Sequence, residues 1–486
     1  MGLTAAISNA LTGLTAASRG TEVVSSNLAN SLTPGYARRE VELSPRAYSG
    51  NGGGVHVDGI RRTITASLLA DNRVSQGRVA NSTAVAGFYN SMEKSIGTIN
   101  DANSLNSLIA GLDAKLIAAT SRPDSDIRLS EVLSSAQELA SKINSVASDI
   151  KSARTNADRG IAADVDLLNT TLDQIAKLNR QVVTTLANGH DASSLMDARQ
   201  KAIDSISDLV AIQEVPRENG RVSLFTKGGA VLLDGMTPSK IGFVSSGPVS
   251  PERNITAGTL STLSIDGQPL SIRQLNTFAG GSIAAKFEIR DRLAPELQTQ
   301  IDALARDLYD RFANPAMDPT IPPGGHGIFT DDQQPFSGTP ELGFANRLSV
   351  TNLVDPAAGG ALWRLRAGIG AGAAGNPGDS SLLIKLSEAL NQSKSPASTG
   401  VSSSPRTLSI FASELSSHSA SARLAAESAL TQDNAQFSAL KSALLSEGVD
   451  TDREMENLLA LERAYAANAK VFQTANDMLD NILRMT

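Results

Sequence analysis

A glycine-rich segment in the last third of the chain has the spacing of a dinucleotide-binding loop. Gly370, Gly372 and Gly375 follow the pattern G-x-G-x-x-G. That chemistry needs the loop to pass directly from a strand into a helix whose N-terminus binds the pyrophosphate. Here residues 376–378 (Asn-Pro-Gly) separate the glycines from the next predicted helix, which is capped near Asp379. We therefore interpret the segment as a flexible loop, and keep a soluble nucleotide-binding enzyme as an alternative hypothesis.

A second group, Asp450-x-Asp452-x-Glu454, resembles the opening of a calcium-binding loop. Such a loop needs glycine at its sixth position and glutamate at its twelfth, where this chain has Met455 and Leu461. Helix capping explains the acidic residues better. Thr451 as N-cap with Glu454 three residues later would form a capping box, so the pattern predicts the start of a helix.

No other residues have the types and spacing of a catalytic or metal-binding group. His56, His190, His326 and His418 are scattered without ligand spacing, and no serine lies in a G-x-S-x-G motif. The chain has no cysteine, which excludes disulfides, thiolate metal sites and cysteine nucleophiles. We therefore predict that the protein is not an enzyme and needs no metal or cofactor.

Composition narrows the class of protein further. The chain of 486 residues is 41% hydrophobic but only 4% aromatic, which suits long, slim helical packing better than a deep pocket. Its net charge of −7 comes without a basic stripe, so we expect no nucleic-acid binding. No apolar run approaches the roughly 18 residues of a membrane span, and the first residues lack the features of a cleaved secretion signal. Composition alone favours the cytoplasm, unless the chain leaves the cell by a route that uses no cleaved signal.

Both ends of the chain carry an alanine-rich amphipathic helix whose apolar residues recur at alternating steps of three and four. This period keeps one seam facing a partner helix, as a coiled coil requires. We predict that the two helices pair with each other and that their copies stack with those of other subunits. Two ordinary core helices of a soluble bundle are the alternative. The first stripe is Leu3, Ile7, Ala10, Leu14, Ala17, Thr21, Val24 and Leu28, and the last is Leu458, Leu461, Tyr465, Asn468, Phe472, Ala475, Leu479 and Ile482.

The segment after the first helix has the signals of a turn and a hairpin. We expect the helix to run from about Leu3 to Ala29 and to end at Thr33-Pro34-Gly35-Tyr36, where proline and glycine specify a type II turn. Residues 37–43 alternate like a half-buried strand, residues 51–54 read as a turn, and residues 55–57 as the returning strand.

The remaining sequence predicts a mainly α, elongated, multidomain fold with β-rich insertions. Residues 1–60 with 446–486 would form a terminal coiled-coil domain with a short β-hairpin. Residues 61–212, 276–313 and 379–445 would form a helical-bundle middle domain, in which Pro295 marks a kink or a break between two helices. Residues 213–275 and 314–378 would form an outer β domain, with a tight hairpin at Asp266-Gly267.

Two terminal motifs resemble those of bacterial flagellar rod, hook and hook-associated proteins. The first is residues 25–36 (SSNLANSLTPGY), and the second combines residues 448–450 (GVD), 454–458 (EMENL) and 464–471 (AYAANAKV). Three further stretches, residues 54–62, 287–291 and 378–381, are similar to the family of flagellar hook-associated protein 1, the first hook–filament junction protein. The similarity covers both termini and much of the helical middle. Ala37, Arg39-Glu40 and Glu462 depart from the usual residues.

This resemblance implies a structural axial component that joins the hook to the filament. It further implies an extracellular protein exported through the flagellar type III channel without a cleaved signal peptide. The implied partners are its own copies in a ring-like homo-oligomer, the flagellar hook protein, hook-associated protein 3 and an export chaperone that binds the C-terminal helix. The alternative within the same class is another axial protein, either hook protein or hook-associated protein 3.

The stripes and the resemblance together predict an assembly interface, in which the apolar residues of the first helix pack against those of the last or against their copies. The predicted interface residues are Leu3, Ile7, Leu14, Val24, Asn27, Leu28, Asn30, Pro34, Gly35, Tyr36, Met455, Leu458, Leu461, Tyr465, Phe472, Leu479 and Ile482.

Overall fold

The computed structural model describes residues 2–33, 35–48, 51–98, 101–338 and 341–485. Long helices dominate these residues, and short strands lie between them, as the sequence predicts. The helices are α1 (Leu3–Ala29), α2 (Ala66–Ile96), α3 (Leu105–Thr120), α4 (Asp126–Ala187), α5 (Ser193–Ile206), α6 (Ile272–Leu275), α7 (Ser282–Glu288), α8 (Ala294–Phe312), α9 (Arg364–Ala367), α10 (Ser381–Asn391), α11 (Leu408–Ser446) and α12 (Thr451–Met485). The strands are β1 (Arg38–Tyr48), β2 (Asn51–Thr63), β3 (Ile212–Pro216), β4 (Val222–Thr226), β5 (Val231–Asp234), β6 (Thr237–Pro238), β7 (Ile241–Gly242), β8 (Ser264–Ile265), β9 (Gln268–Pro269), β10 (Phe329–Asp331) and β11 (Leu348–Val350).

The hairpin after α1 is longer than predicted. Strands β1 and β2 pair antiparallel, and Tyr48 lies opposite Asn51. Residues 51–54, which we expected to form the turn, therefore belong to β2. Gly54 explains the difference, because it has a φ of +89° and a Cβ there would lie 2.1 Å from Thr12 Oγ1. The glycine lets the strand approach α1 closely, so the Gly-rich run marks a packing contact.

Helix α4 is a rod of 62 residues, about 93 Å long at 1.5 Å per residue. Ser125 caps its first turn by accepting a hydrogen bond from the Arg128 backbone N–H at 3.5 Å. Pro123 and Asn188, residue types that interrupt helices, flank it on either side. The apolar residues of its first half, from Leu129 to Ala157, join one hydrophobic core, and those from Ile161 to Ala176 join another. A single helix thus connects two cores, which gives the elongated shape.

The two β-rich segments contribute to different cores. Strands β3 to β5 pack with the second half of α4, together with α5 and α7. Strands β10 and β11 pack with the first half of α4, together with α3, α8 and α10. Strand β2 also continues to Thr63, past the predicted boundary at residue 60. The division into three domains stays a prediction, and these contacts favour placing residues 314–378 with the helical middle.

The predicted irregularity before Pro295 takes the form of a π-helical turn at Ile289–Leu293. Its Arg290 is fully buried, and the guanidinium Nη1 lies 2.7 Å from Asp158 Oδ1 on α4. Arg290 Nη2 donates to the Ser261 carbonyl at 3.0 Å, and Arg154 of α4 donates to the carbonyls of Ser250 and Arg253. These contacts attach the loop between β7 and β8 to the rod. The tight hairpin predicted at Asp266-Gly267 is the turn between β8 and β9, where both residues have a positive φ.

Helices α2 and α11 pack antiparallel against each other through polar contacts. Helix α2 follows the hairpin, and α11 precedes α12. Arg78 Nη1 donates to Gln436 Oε1 at 3.3 Å, and Glu93 pairs with Arg423 at 2.5 Å near the other end of the contact. Among the helices that the structure describes, none is long and apolar enough to cross a bilayer.

Candidate assembly surface

The terminal helices pair with each other in an antiparallel heptad register, which confirms the predicted coiled coil. A Cβ at Gly13 would lie 2.7 Å from Asn468 Nδ2, and one at Gly20 would lie 2.8 Å from Leu461 Cδ2. Seven residues further along α1, Asn27 Nδ2 donates to Glu454 Oε2 at 3.2 Å. Each step of seven along α1 is thus matched by a step of seven backward along α12. Glycine at the contact positions lets the two helices approach closely.

The predicted interface residues divide into a covered set and an exposed set. Val24 and Asn27 are buried, and Leu3, Ile7, Leu14, Leu458, Leu461, Phe472 and Leu479 are half-buried. By contrast, Leu28, Met455, Tyr465 and Ile482 stay 36 to 54% exposed. Gly35 is exposed, Asn30 and Tyr36 are half-buried, and Pro34 lies outside the described residues. A single chain therefore uses only part of the predicted interface.

Asn27 is the polar centre of the helix pair and is fully buried. Its Nδ2 donates to the Arg39 carbonyl at 2.9 Å as well as to Glu454. Its Oδ1 accepts from the Arg39 backbone N–H at 3.0 Å and from the Tyr36 hydroxyl at 2.9 Å. The amide thus makes all four of its hydrogen bonds, and it joins α1 to both the hairpin and α12.

Glu454 does not form the predicted capping box. Asp450 caps α12 instead, because its Oδ1 accepts from the N–H groups of Asp452 and Arg453 at 3.1 and 3.2 Å. Glu454 is 1% exposed, and its Oε1 accepts from Arg38 Nε at 2.7 Å. Its carboxylate is therefore a buried partner of Arg38 and Asn27. Its position seven residues before Leu461 continues the stripe, a signal that could have identified it.

A carboxylate on α5 attaches the hairpin to the body. Arg39 and Arg62 are cross-strand neighbours on β1 and β2. Asp197 accepts from Arg39 Nη2 at 2.9 Å and from Arg62 Nε at 2.8 Å, so one acidic group compensates two adjacent positive charges. Asp197 could not be identified from the sequence, because nothing in its local pattern separates it from a solvent-exposed helical carboxylate.

The turn after α1 forms one wall of a cleft. Tyr36 N donates to the Thr33 carbonyl at 3.2 Å, and Gly35 has a φ of +82°, as a type II turn requires. Asn30 ends the helix, and its Nδ2 donates to the Ser26 carbonyl at 2.9 Å. The cleft has a volume of about 510 Å³ and continues to the elbow between α11 and α12. Leu32 and Leu445, among its lining residues, are 94% and 72% exposed.

The surface of the helix pair exposes a band of large apolar side chains. On α12 the additional members are Leu459, Val471, Met478 and Leu483, and on α1 Leu11 is exposed. Val471, Met478 and Ile482 share a face by their spacing of seven and four. Exposed apolar surface of this extent is typical of protein–protein contact sites, so the helix pair is suited to packing against other protein chains.

The glycine-rich segment does not have the geometry of a nucleotide loop. It lies between the short helices α9 and α10, and no strand leads into it. Arg364 Nη1 donates to the carbonyls of Ile369 and Ala371 at 2.7 and 2.9 Å, and Arg366 Nη2 donates to that of Ala374 at 2.7 Å. The chain's own arginines thus bind the loop backbone. In the described ranges, no cluster of three potential metal ligands occurs.

Three family models match different parts of the chain. The model for the helical domain of flagellar hook-associated protein FlgK matches residues 89–315. A model for the C-terminal part of the flagellar basal body rod FlgEFG proteins matches residues 441–485, and one for flagella basal body rod proteins matches residues 7–36. One of the shorter matches contains most of α1, the other contains all of α12, and the long one includes the whole of α4.

The curated relatives that the chain matches are also flagellar hook-associated proteins. Flagellar hook-associated protein 1 of Escherichia coli is 22% identical over 63% of this chain and 56% of its own length. The Salmonella typhimurium protein of the same name is 23% identical over 63% of this chain and 55% of its own length. The chain thus spans about half the length of these relatives. The Bacillus subtilis hook-associated protein 1 is 23% identical over 94% of this chain and 93% of its own length. A solved structure of the flagellar hook junction protein FlgK from Burkholderia pseudomallei aligns with a TM-score of 0.45 and 20% identity, over 54% of this chain and 46% of that one.

Proposed function

Because the chain belongs to the family of flagellar hook-associated protein 1, we propose that it is a structural axial component of the bacterial flagellum that joins hook to filament. The observation that carries this proposal is the terminal helix pair. Its seam is closed within one chain, while its outer face keeps large apolar side chains uncovered. A monomer with such a surface is suited to assembly rather than to catalysis.

We propose two roles for the interface residues, which follow from their burial. Val24, Asn27 and Leu461 with their half-buried neighbours hold α1 against α12 inside one subunit. Leu28, Met455, Tyr465 and Ile482 face away and contact other subunits, together with the turn at Gly35. In this arrangement the helix pair lines the inner tube, the helical middle packs laterally, and the β-rich segments face outward.

The partners follow from the same proposal. The chain assembles with its own copies into a ring-like oligomer, with the hook protein on one side and hook-associated protein 3 on the other. A chaperone holds the C-terminal helix before export through the flagellar channel, which requires no cleaved signal. The exposed apolar residues of α12, such as Met478 and Ile482, suit transient cover by a second protein. The protein acts outside the cell and has no catalytic role.

A deletion strain of the source bacterium tests the proposal. Loss of a junction protein should leave hooks intact, shed flagellin into the medium and leave purified hooks without hook-associated protein 3. Absence of hooks would identify the chain as hook protein instead. Hooks that lack this chain but still carry hook-associated protein 3 would contradict the junction role.

Variants of the exposed residues test the assembly surface itself. The double substitution Tyr465→Asp with Ile482→Asp should abolish filament growth, because charges at a buried contact between subunits are costly. The matched control Arg159→Gln, an exposed position on α4, should support normal motility. Normal filaments with the double variant would refute the assigned contact surface.

A further inference from the structure

A small cavity lies where the hairpin meets the body of the protein. It has a volume of about 190 Å³, and its walls come from β2, α2, α5 and β3. Its charged lining consists of Arg62, Arg73, Arg199 and Glu214. Three guanidinium groups thus surround a space that one carboxylate also borders.

Arg199 is buried without a negative partner. The residue is 6% exposed, and in the described part of the chain no carboxylate lies within ion-pair distance of it. Its Nη1 donates only to neutral acceptors, Asn179 Oδ1 at 2.8 Å and the Gly220 carbonyl at 2.7 Å. A buried charge without a counter-charge is costly. Burial lowers the pKa of Arg199, and the charges of Arg62 and Arg73 act in the same direction while Glu214 opposes them.

Arg73 is a second buried arginine in the wall of the cavity. The residue is 2% exposed, and its Nε donates to Asp204 Oδ1 at 2.6 Å while its Nη1 donates to Glu214 Oε2 at 2.5 Å. Its Nη2 is buried and finds no hydrogen-bond partner among the described residues. The Glu214 carboxylate is therefore engaged by Arg73, and the charge of Arg199 remains uncompensated.

We propose that this cavity binds a small oxyanion of the phosphate class. Guanidinium groups bind tetrahedral oxyanions with two parallel N–H donors, which is the contact that Arg199 can offer. An anion there would accept from Arg199 and would neutralise its uncompensated charge. Because Arg62 belongs to β2 and Arg199 to α5, the bound anion would tie the hairpin to the body. The site is independent of the proposed axial role.

Calorimetric titration of the full chain with inorganic phosphate tests the proposal, at an ionic strength held constant with chloride. We expect saturable binding and a higher melting temperature in phosphate. Arg199→Gln should weaken binding at least about tenfold, because it removes a charge-assisted pair of hydrogen bonds. The control Arg159→Gln, an exposed arginine on α4, should bind phosphate like the unchanged protein. Methyl phosphate serves as a further probe. If it binds as tightly as inorganic phosphate, the ligand is a phosphate ester; if only inorganic phosphate binds, the ligand is the free ion.

The stability of Arg199→Gln gives a second, independent readout. Without phosphate this variant should be as stable as the unchanged protein or more stable, since it removes an unpaired buried charge. In the presence of phosphate the unchanged protein should be the more stable of the two. If the variant does not fold, Met196→Phe, which fills the cavity from α5, should abolish binding in its place. Absence of saturable phosphate binding to the unchanged protein would overturn the proposal, as would equal affinities in Arg199→Gln and Arg159→Gln.

Discussion

Replacing Asn27 by aspartate tests the polar centre of the terminal helix pair. The amide Nδ2 of Asn27 donates to Glu454 Oε2 at 3.2 Å and to the Arg39 carbonyl at 2.9 Å. Aspartate would place a second carboxylate beside the buried Glu454 and remove both donated hydrogen bonds. Since two carboxylates at this distance do not both stay ionised, one of them must bind a proton.

The cost of that proton sets the magnitude of the effect. Holding a carboxyl protonated at pH 7, about three units above its ordinary pKa, costs about 4 kcal/mol at 1.36 kcal/mol per unit. The lost bond to Arg39 adds about 1 kcal/mol, and Arg38, which lies 2.7 Å from Glu454 Oε1, offsets a similar amount. We therefore expect Asn27→Asp to destabilise the helix pair by about 4 kcal/mol at pH 7. At pH 5 the loss should be smaller by about 2.7 kcal/mol.

Urea unfolding followed by far-ultraviolet circular dichroism at pH 7 and pH 5 measures this effect. The double variant Asn27→Asp with Glu454→Gln should recover most of the loss, because glutamine can donate to the new carboxylate. Asn476→Asp, at an exposed position of α12, is the control and should change stability by less than about 0.5 kcal/mol. A loss that is independent of pH, or that the Glu454→Gln change does not reduce, would refute the assigned contact.

Further predictions concern other contacts of the structure. Asp197→Asn should loosen the hairpin by about 2 kcal/mol, because Arg39 and Arg62 lose their shared carboxylate; faster amide exchange in β1 and β2 would confirm this, with the exposed Asp71→Asn as control. Gly20→Ala should destabilise the helix pair by about 1–3 kcal/mol, since its Cβ would lie 2.8 Å from Leu461 Cδ2. Gly87→Ala on α2 should instead stabilise the protein by about 0.5–1 kcal/mol, because a Cβ there meets nothing within 4 Å. Equal urea midpoints for the two variants would contradict this. Burial raises the pKa of Asp302 to about 6 despite hydrogen bonds from Ala345, Gly343 and Gln298. The pKa of Asp302 in the folded protein therefore exceeds the unfolded value of 3.8. Its stabilising contribution is complete below pH 3.8, and about 3 kcal/mol is lost as the pH rises through 6. Parallel curves of stability in urea against pH for Asp302→Asn and the unchanged protein would refute this.

The long helices were predictable because their signals are local. The three-and-four spacing of α1 indicates one covered face, and Ala10, Ala17 and Val24 of the predicted stripe are buried. The other contacts with α12 lie at Gly13, Gly20 and Asn27, each one residue before the predicted position, and Leu28 is 36% exposed. The bounds of α1 and the turn at Gly35 follow from proline and glycine chemistry within a few residues. The capping residue at α12 was placed one position late, since Asp450 and Thr451 are both good N-caps and only the backbone decides between them.

The polar contacts could not be predicted, because they join residues far apart in the sequence. Glu454 meets Asn27 and Arg38 across more than four hundred residues. Its place on the stripe indicates burial, but no local pattern identifies the two residues that its carboxylate contacts. The residues next to Asp197 in the sequence do not differ from those around an exposed helical aspartate. The glycines at residues 52–54 resembled a turn, and only the approach of Gly54 to Thr12 shows why a strand needs them.

Cysteine cross-linking tests most directly the claim that the two ends of the chain meet in this register. The natural chain has no cysteine, so any disulfide comes from an introduced pair. Gly20→Cys with Leu461→Cys, and Gly13→Cys with Asn468→Cys, should each form a disulfide within one subunit under mild oxidation, in the free chain and in purified hooks. Gly13→Cys with Leu461→Cys, one heptad out of register, should not. Efficient cross-linking of the mismatched pair, or none in the matched pairs, would contradict the antiparallel pairing on which the proposed assembly depends.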